Sequence, residues 1–405
     1  VSVPTVDVII VSWNGRDDTM NAVEAVLAQI GSGAGQFPAA RVTVVDNGSI
    51  DGTWESVLAL GGRVRCVRLD SNRGFTGGIA AGADVSDAEM LLFLNNDAIP
   101  EPGWLAAMAG SLAEADDDVI ASSGRIISYD GTRVDFIGGA MTFDGHAFQH
   151  DFRRPVGSVA EPARGEELFF ACGGNMIVRR KPYVDLGGFD DDYFAYLEDV
   201  DFGWRSWLSG WRMIYEPEGV VRHRSSATSD RLGDFERGVL FERNALQTAI
   251  KNYDDELLRE IAGPVFLTLL HRSHRYVVDR NPETASLQRP AFDGRNAEKA
   301  RGPVQRLIAR LRGRSQVTVI DDPLTVMQFR AVDWFLRNRN RVMAKRAEVQ
   351  KRRKRSDVEI FERFPPLEVP TYHGDDELFS SSLFDALRPR SIQLRRRTLD
   401  EMMER

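Results

Sequence analysis

The sequence predicts an α/β domain built on a mostly parallel sheet with helices on both faces, followed by a helical C-terminal region. Three observations carry this prediction. Short, nearly continuous apolar runs alternate with helical stretches from residue 6 to residue 123, the pattern of strands buried on both faces. Turn-forming polar clusters close three of those runs, at Trp13-Asn14-Gly15, Asp46-Asn47-Gly48-Ser49 and Asn95-Asn96-Asp97. Past residue 230 the charge changes sign: residues 1–230 hold 18 Lys and Arg against 34 Asp and Glu, and the remainder nets +8.

Taken in order, Val6–Val11 reads as the first strand, and Asp17 and Asp18 open a helix through Leu27. Val42–Val45 is a second strand, after which Asp51 caps a helix through Leu60. Val64–Leu69 is a third strand, and a glycine-rich turn leads to a helix near Ile79–Ala83. Met90–Leu94 is a fourth, with a helix opened by Pro102. From 124 to 195 glycine pairs and aromatics loosen the pattern into a mixed segment expected to line the site. Val200, Trp204, Trp207, Leu208 and Trp211 then share one helical face, with Gly210 placed to end the helix. After a strand at Tyr215–Val221, residues 231–280 read as helical and 281–315 as a polar, Arg-rich linker or lid. A last long helix starts at Asp322-Pro323 and carries Phe335, Val342 and Val349 seven apart into Lys351–Arg355. The expected division is a catalytic domain over 1–230, a helical extension over 231–300 and a basic helical region over 301–405.

Composition narrows the function. With 405 residues, 42% hydrophobic and 28% charged, the chain can bury a sizeable core, which excludes wholesale disorder and low-complexity fibres. No apolar run approaches the ~18 residues of a membrane span, and the opening Val-Ser-Val-Pro-Thr has neither the basic start nor the apolar core of a signal peptide. Cys66 and Cys172 are too few for a disulfide framework or a four-thiolate zinc site, so a reduced, cytoplasmic compartment is expected. The acidic front half argues against nucleic-acid binding, which needs clustered Lys and Arg, and suits a divalent cation or carboxylate chemistry. Between 301 and 360 there are 16 Lys and Arg against 6 Asp and Glu. Two readings stay open there: a helix packing on the catalytic domain or on a second subunit of a homo-oligomer, or a surface meeting an anionic membrane as a peripheral enzyme would.

The polar clusters lie after strand ends, where open α/β sheets bind ligands. Ser12-Trp13-Asn14-Gly15-Arg16-Asp17 has one glycine where a dinucleotide fold needs three, and no G-x-x-x-x-G-K-[ST] string occurs, which removes Rossmann oxidoreductases and P-loop NTPases. Asp46 can accept from a base or ribose, or simply cap its own turn. Asn72-Arg73-Gly74-Phe75-Thr76-Gly77-Gly78 can bring backbone N–H groups to a phosphate, or form a plain tight turn. Asp97 can hold Mg²⁺ or Mn²⁺ beside a diphosphate, or cap a helix. His223 can add a nitrogen ligand, or lie at the surface between two arginines. Glu198-Asp199-Val200-Asp201 can cap the tryptophan helix through its dipole, which also keeps a carboxylate ionised as a general base must be.

Together, Val11-Ser12-Trp13-Asn14, Val45-Asp46-Asn47-Gly48-Ser49-x-Asp51-Gly52, Asn72-x-Gly74-Phe75-x-Gly77-Gly78, Leu94-Asn95-Asn96-Asp97 and Glu198-Asp199-x-Asp201 resemble the inverting family 2 glycosyltransferases, in particular their rhamnosyltransferase-like branch. The resemblance implies a GT-A fold, a nucleotide-diphosphate sugar donor (UDP- or dTDP-linked favoured), a divalent cation, and a glycan or lipid-linked acceptor, as in polysaccharide and cell-wall biosynthesis. It implies that Ser12, Trp13 and Asn14 hold the nucleotide, that Asp46 accepts from N3–H of a uracil or thymine, and that Asn72 and Gly74 lie near ribose and diphosphate. Asp97 and His223 would hold Mg²⁺ or Mn²⁺. Asn96, Gly173 and Gly174 would face the donor sugar. Asp199 would be the catalytic base, with Glu198 beside it. The chain departs from the family pattern at Asn95, where the metal motif has its first acid, and at Ile79-Ala80, where relatives often carry paired asparagines. It lacks the Q-x-x-R-W string of processive enzymes, so a single-addition or short-run transferase is expected rather than a cellulose-type synthase. Two rivals remain: a sugar nucleotidyltransferase, disfavoured by the single Gly15 followed by Asp17 and Asp18, and a non-catalytic sugar-nucleotide binder.

Overall fold

The structure is a computed structural model that describes residues 4–31, 40–224, 233–278, 323–372 and 374–403. Strands and helices first alternate strictly: β1 (Val6–Ser12), α1 (Arg16–Gly31), β2 (Ala40–Asp46), α2 (Thr53–Leu58), β3 (Arg65–Arg68), α3 (Gly74–Val85) and β4 (Met90–Asn95). Then come β5 (Ala98–Pro100), α4 (Trp104–Ala113), β6 (Val119–Ser128), β7 (Val134–Phe136), β8 (Gly139–Met141) and β9 (Ala147–Gln149). β10 (Asn175–Arg179), α5 (Arg180–Asp185), α6 (Glu198–Leu208) and β11 (Arg212–His223) complete the first half. The second half is helical: α7 (Asp234–Asn252), α8 (Asp255–Val278), α9 (Pro323–Arg352) and α10 (Asp357–Arg363). A short tail follows, with β12 (Leu367–Glu368), α11 (Asp375–Phe379), α12 (Ser382–Leu387), β13 (Arg395–Arg396) and α13 (Leu399–Met402). The stretch 281–315, expected to be a linker or lid, lies outside the described residues.

The main sheet runs β3-β2-β1-β4-β10-β6-β11-β5, with β7 added to β6. Its first four strands are the parallel half that the apolar runs predict. Every residue of β1 is buried, as a central strand covered on both faces requires. The register fixes where the polar ends fall: Ser12 pairs with Asp46 and Val11 with Asn95, so three motifs share one sheet edge. The loosened stretch 124–195 conceals β10, which runs antiparallel to both β4 and β6 in the middle of the sheet. At five residues between a glycine pair and a helix, its apolar core Met176–Val178 is too short to announce a strand.

The tryptophan helix α6 is buried as its spacing predicts, and it anchors the second half to the first. Trp204 Nε1 donates to Asp357 Oδ1 at 3.1 Å, and Trp207 Nε1 to the Leu168 carbonyl at 3.0 Å. Phe361 and Tyr253 pack edge-on against Trp204, with centroids 5.4 and 4.6 Å away. The basic run Lys351–Arg355 is largely spent on this docking. Arg353 pairs with Asp357 at 3.1 Å, Arg352 donates to the Asp185 carbonyl, and Arg355 donates to the carbonyls of Gly210 and Trp211 at 3.1 Å each. Lys351 and Lys354 keep exposed side chains. Among the described residues, no helix is long and apolar enough to cross a membrane.

Candidate active site

A cavity of about 820 Å³ opens at the sheet edge where the motifs converge. Its lining includes Trp13, Asn72, Gly74, Asn96, Asp97, Gly173, Gly174, Glu198, Asp199 and His223, ten residues that the sequence singles out. Ser12, Asn14 and Asp46 are not in the lining: Ser12 and Asp46 are fully buried, and Asn14 is half-buried with its side chain engaged by the next loop. Ser12 Oγ is 2.6 Å from Thr19 Oγ1, and Asn14 Oδ1 accepts from Ile50 N at 2.8 Å. Asp46 accepts from Ser49 N at 3.2 Å through Oδ1, its expected turn role, while its buried Oδ2, without a hydrogen bond among the described residues, sits 3.5 Å from Arg68 Nε.

Asn47, which sequence reasoning passed over as turn chemistry, organises the glycine-rich loop. Its Nδ2 donates to Asn72 Oδ1 at 3.0 Å and to the Gly74 carbonyl at 2.9 Å, and its Oδ1 accepts from Arg73 N at 2.9 Å. Gly74 has φ +75°, and a Cβ there would meet the Phe194 carbonyl oxygen at 2.2 Å, so both backbone sign and space demand glycine.

Asp97 and His223 come together although they are far apart in sequence: Asp97 Oδ1 lies 3.1 Å from His223 Nε2. β5 and β11 pair antiparallel with Ala98 opposite His223, which brings the two side chains to one spot. The other ring nitrogen, Nδ1, is 2.7 Å from Asp135 Oδ2. A carboxylate on the far nitrogen orients a metal-binding imidazole. Asp135 lay in the loosened segment, 88 residues from His223, with no local signal. Asn95 Nδ2 is 3.2 Å from His223 Nε2. Burial favours a neutral ring, but the Asp135 and Asp97 carboxylates outweigh it and push the His223 pKa up to about 10. One buried carboxylate oxygen and one imidazole nitrogen, braced from behind, form a donor set suited to Mn²⁺ or Mg²⁺. The acidic trio Asp190, Asp191 and Asp192 is a poorer candidate: Lys345 Nζ lies 2.5, 3.1 and 2.8 Å from the three carboxylates and Lys251 Nζ 2.5 Å from Asp190.

Asp199 stands in the first turn of α6, where Oδ2 accepts from Gly173 N at 3.1 Å and Oδ1 from Val200 N at 2.8 Å. The dipole argument expects a lowered pKa, yet burial raises Asp199 above its ordinary value despite those N–H groups. A raised value is closer to what a base working near neutrality needs. Glu198 is pushed well above the usual carboxylate range by burial and by the Asp199 charge, and its buried Oε2 has no hydrogen bond among the described residues. The pair therefore holds its negative charge on Asp199. Asp201, the third acid, is structural, paired with Arg205 at 2.8 Å and Lys251 at 2.9 Å.

The segment before α6 is strained. Phe194, Tyr196 and Leu197 all have positive φ, at 66°, 71° and 63°, each unfavourable for a bulky residue. Asn244 on α7 pins it: Nδ2 donates to the carbonyls of Tyr193, Ala195 and Tyr196 at 3.1, 2.9 and 2.8 Å. Arg243 adds bonds to the Asp192 and Tyr193 carbonyls at 2.8 and 2.7 Å. The remaining wall joins four distant segments, with Asp144, His146, Glu242, Arg272 and Tyr372 all in the lining. Arg272 bridges Asp144 at 3.2 Å and Asp375 at 2.9 Å, while His146 lies 3.1 Å from Asp144 and 3.6 Å from Glu242.

Residues 7–187 match the family model described as Glycosyl transferase family 2. The N-acetylglucosaminyl-diphospho-decaprenol L-rhamnosyltransferase of Mycobacterium tuberculosis is 28% identical over 220 residues, which cover 47% of this chain and 68% of that protein. The O-antigen biosynthesis protein RfbC of Myxococcus xanthus is 28% identical over 233 residues, 54% of this chain but 17% of that protein. Among solved structures, GalNAc-T7 with UDP, GalNAc and Mn²⁺ superposes with a TM-score of 0.51 at 16% identity, covering 66% of this chain and 51% of that one. The sheet order, the cavity at its carboxyl edge and these matches agree: residues 7–187 are similar to glycosyl transferase family 2, the relatives are rhamnosyltransferase-like, and together they indicate a glycosyltransferase.

Proposed function

We propose that the chain transfers one sugar, with inversion, from a UDP- or dTDP-linked donor to a hydroxyl of a glycan or lipid-linked acceptor. The observation that carries this reading is one cavity whose lining holds the half-buried Asp199 carboxylate and the braced pair Asp97–His223. Asp199 takes the proton of the acceptor hydroxyl. The freed oxygen attacks the anomeric carbon from the face opposite the diphosphate, and the bond from that carbon to the diphosphate oxygen breaks with its electron pair. Glu198, held protonated, leaves Asp199 as the group able to accept the proton. Gly173 N fixes the Asp199 carboxylate in place, and Trp13, Asn72 and Gly74 supply the donor wall. Asp97 and His223 would hold Mg²⁺ or Mn²⁺, which when bound offsets the charge growing on the nucleotide diphosphate. The lipid-linked acceptor named for the mycobacterial relative supports a site of action at the cytoplasmic face of a membrane.

The test is a melting-temperature screen of UDP-, dTDP- and GDP-sugars with and without Mn²⁺, followed by assay of nucleoside diphosphate release. One donor should raise the melting temperature, because a ligand of the native state stabilises it, and should be turned over only with the ion. Donor binding without any turnover would leave a sugar-nucleotide binder instead, and a product retaining the anomeric configuration would overturn the inverting mechanism.

A further inference from the structure

We infer that the part of the cavity wall built by α7 is a pyranose-binding subsite for the acceptor, with Tyr196 and Phe241 as a stacking platform and the Glu242 carboxylate as a hydroxyl anchor. The inference rests on the transferase reading and adds to it where, and by what chemistry, the acceptor ring is held. Gly238, Phe241 and Glu242 all line the cavity, and their spacing of three and four residues puts them on one face of the helix. Phe241 keeps 38% of its surface exposed, large for a Phe inside a wall. Its ring stacks on Tyr196 with centroids 4.6 Å apart and planes 25° from parallel, which fixes the ring's orientation and covers one face, leaving the other for a ligand.

Glu242 is only 8% exposed. Tyr372 hydroxyl donates to Oε1 at 2.5 Å and His146 Nε2 lies 3.6 Å from the same oxygen, while no hydrogen bond among the described residues reaches Oε2. The nearby positive charges of His146 and Arg272 keep Glu242 ionised in spite of burial. That Oε2 oxygen, on a residue that lines the cavity, is left for a donor entering from the cavity side. A sugar ring supplies the matching pair of features, an apolar C–H face for the platform and hydroxyl donors at its edge. A purely structural role explains Arg272, Asp144 and Asp375, which join the C-terminal tail to the sheet domain by themselves. It leaves over the Glu242 Oε2 and the Phe241–Tyr196 stack, all on residues that line the cavity.

The test is saturation-transfer NMR with a set of methyl pyranosides, with UDP and Mn²⁺ added to fill the donor side. Wild type should saturate the ring C–H protons of at least one glycoside. Phe241→Ala and Glu242→Gln should each weaken its binding by roughly tenfold or more, the scale of an aromatic contact or a charge-assisted hydrogen bond. UDP affinity and melting curves report whether each variant is folded. Should Glu242→Gln not fold, Phe241→Leu decides, because it keeps an apolar side chain at a partly exposed position and removes only the flat face. The inference is overturned if no glycoside is saturated, if the folded variants bind as wild type does, or if a UDP-sugar displaces the glycoside, which would assign the platform to the donor ring. The transferase reading fails by a different result, retained turnover in Asp199→Asn.

Discussion

The two halves of the molecule build one cavity by different means. In residues 4–224 the groups that face it sit within a few residues of a strand end or helix start, as Trp13, Asn72, Asp97 and Asp199 do. The fold delivers them because parallel strands all point their carboxyl ends the same way. In residues 233–403 the polar groups are held by pairs remote in sequence: Arg272 with Asp375 across 103 residues, Arg272 with Asp144 across 128, and Lys345 with Asp190 across 155. The comparison teaches that the strand-end groups of the first half are set mostly by local turns, with His223 and Asp135 brought in from afar, whereas the opposite wall exists only if the second half stays docked. Perturbing either half should therefore leave different signatures.

The largest effect on docking should come from Trp204→Ala. It removes a buried indole packed on Tyr253 and Phe361 and leaves Asp357 without the Trp204 donor. A loss of about 3–5 kcal/mol is expected by denaturant titration, and a loss under about 1 kcal/mol would show that the two halves do not depend on this contact. Next in size is Asp135→Asn, which keeps the shape but removes the charge behind His223. Mn²⁺ affinity measured calorimetrically with UDP present should fall by about 10- to 100-fold. Unchanged affinity would break the pairing of Asp97 and His223 as the ion's ligands.

A smaller effect concerns pH. Burial favours neutral His146, but the Asp144 and Glu242 carboxylates outweigh it and raise its pKa from 6.5 to about 10. Its contribution to stability is thus complete below pH 6.5 and fades as the pH climbs through about 10. Wild type should lose more melting temperature between those limits than His146→Asn does, and parallel curves would remove His146 from the docking network. The smallest effects belong to the exposed Lys351 and Lys354. Lys354→Gln should stay within about 0.5 kcal/mol of wild type, while Arg353→Gln, which strips Asp357 of its ion pair, should cost clearly more.

This contrast also explains what was legible in the sequence. The parallel half of the sheet, α6 and ten lining residues were readable because apolar runs, turn residues and helical spacing are local signals. Ser12, Asn14 and Asp46 share those signals, but Ser12 and Asp46 are fully buried and the next loop engages the Asn14 side chain. β10 was not readable, since a five-residue strand carries too few alternations to separate it from a loop. Asp135, Glu242 and Arg272 were silent for another reason: a buried charge is recognised by its partner, and their partners lie on other segments, as does Glu242 for His146. The Lys351–Arg355 run left packing and membrane contact open, and three of its five cations turn inward to carbonyls or Asp357.

The most direct test of the central claim, that Asp199 is the base of a glycosyl transfer, is UDP or dTDP release by Asp199→Asn beside a titration of donor affinity. Asn keeps the size and one oxygen able to accept from Gly173 N or Val200 N, so fold and donor affinity should stay near wild type. Turnover should fall by about 10²–10⁴, the usual share of base catalysis. Turnover within a few-fold of wild type, at unchanged donor affinity, would contradict the account.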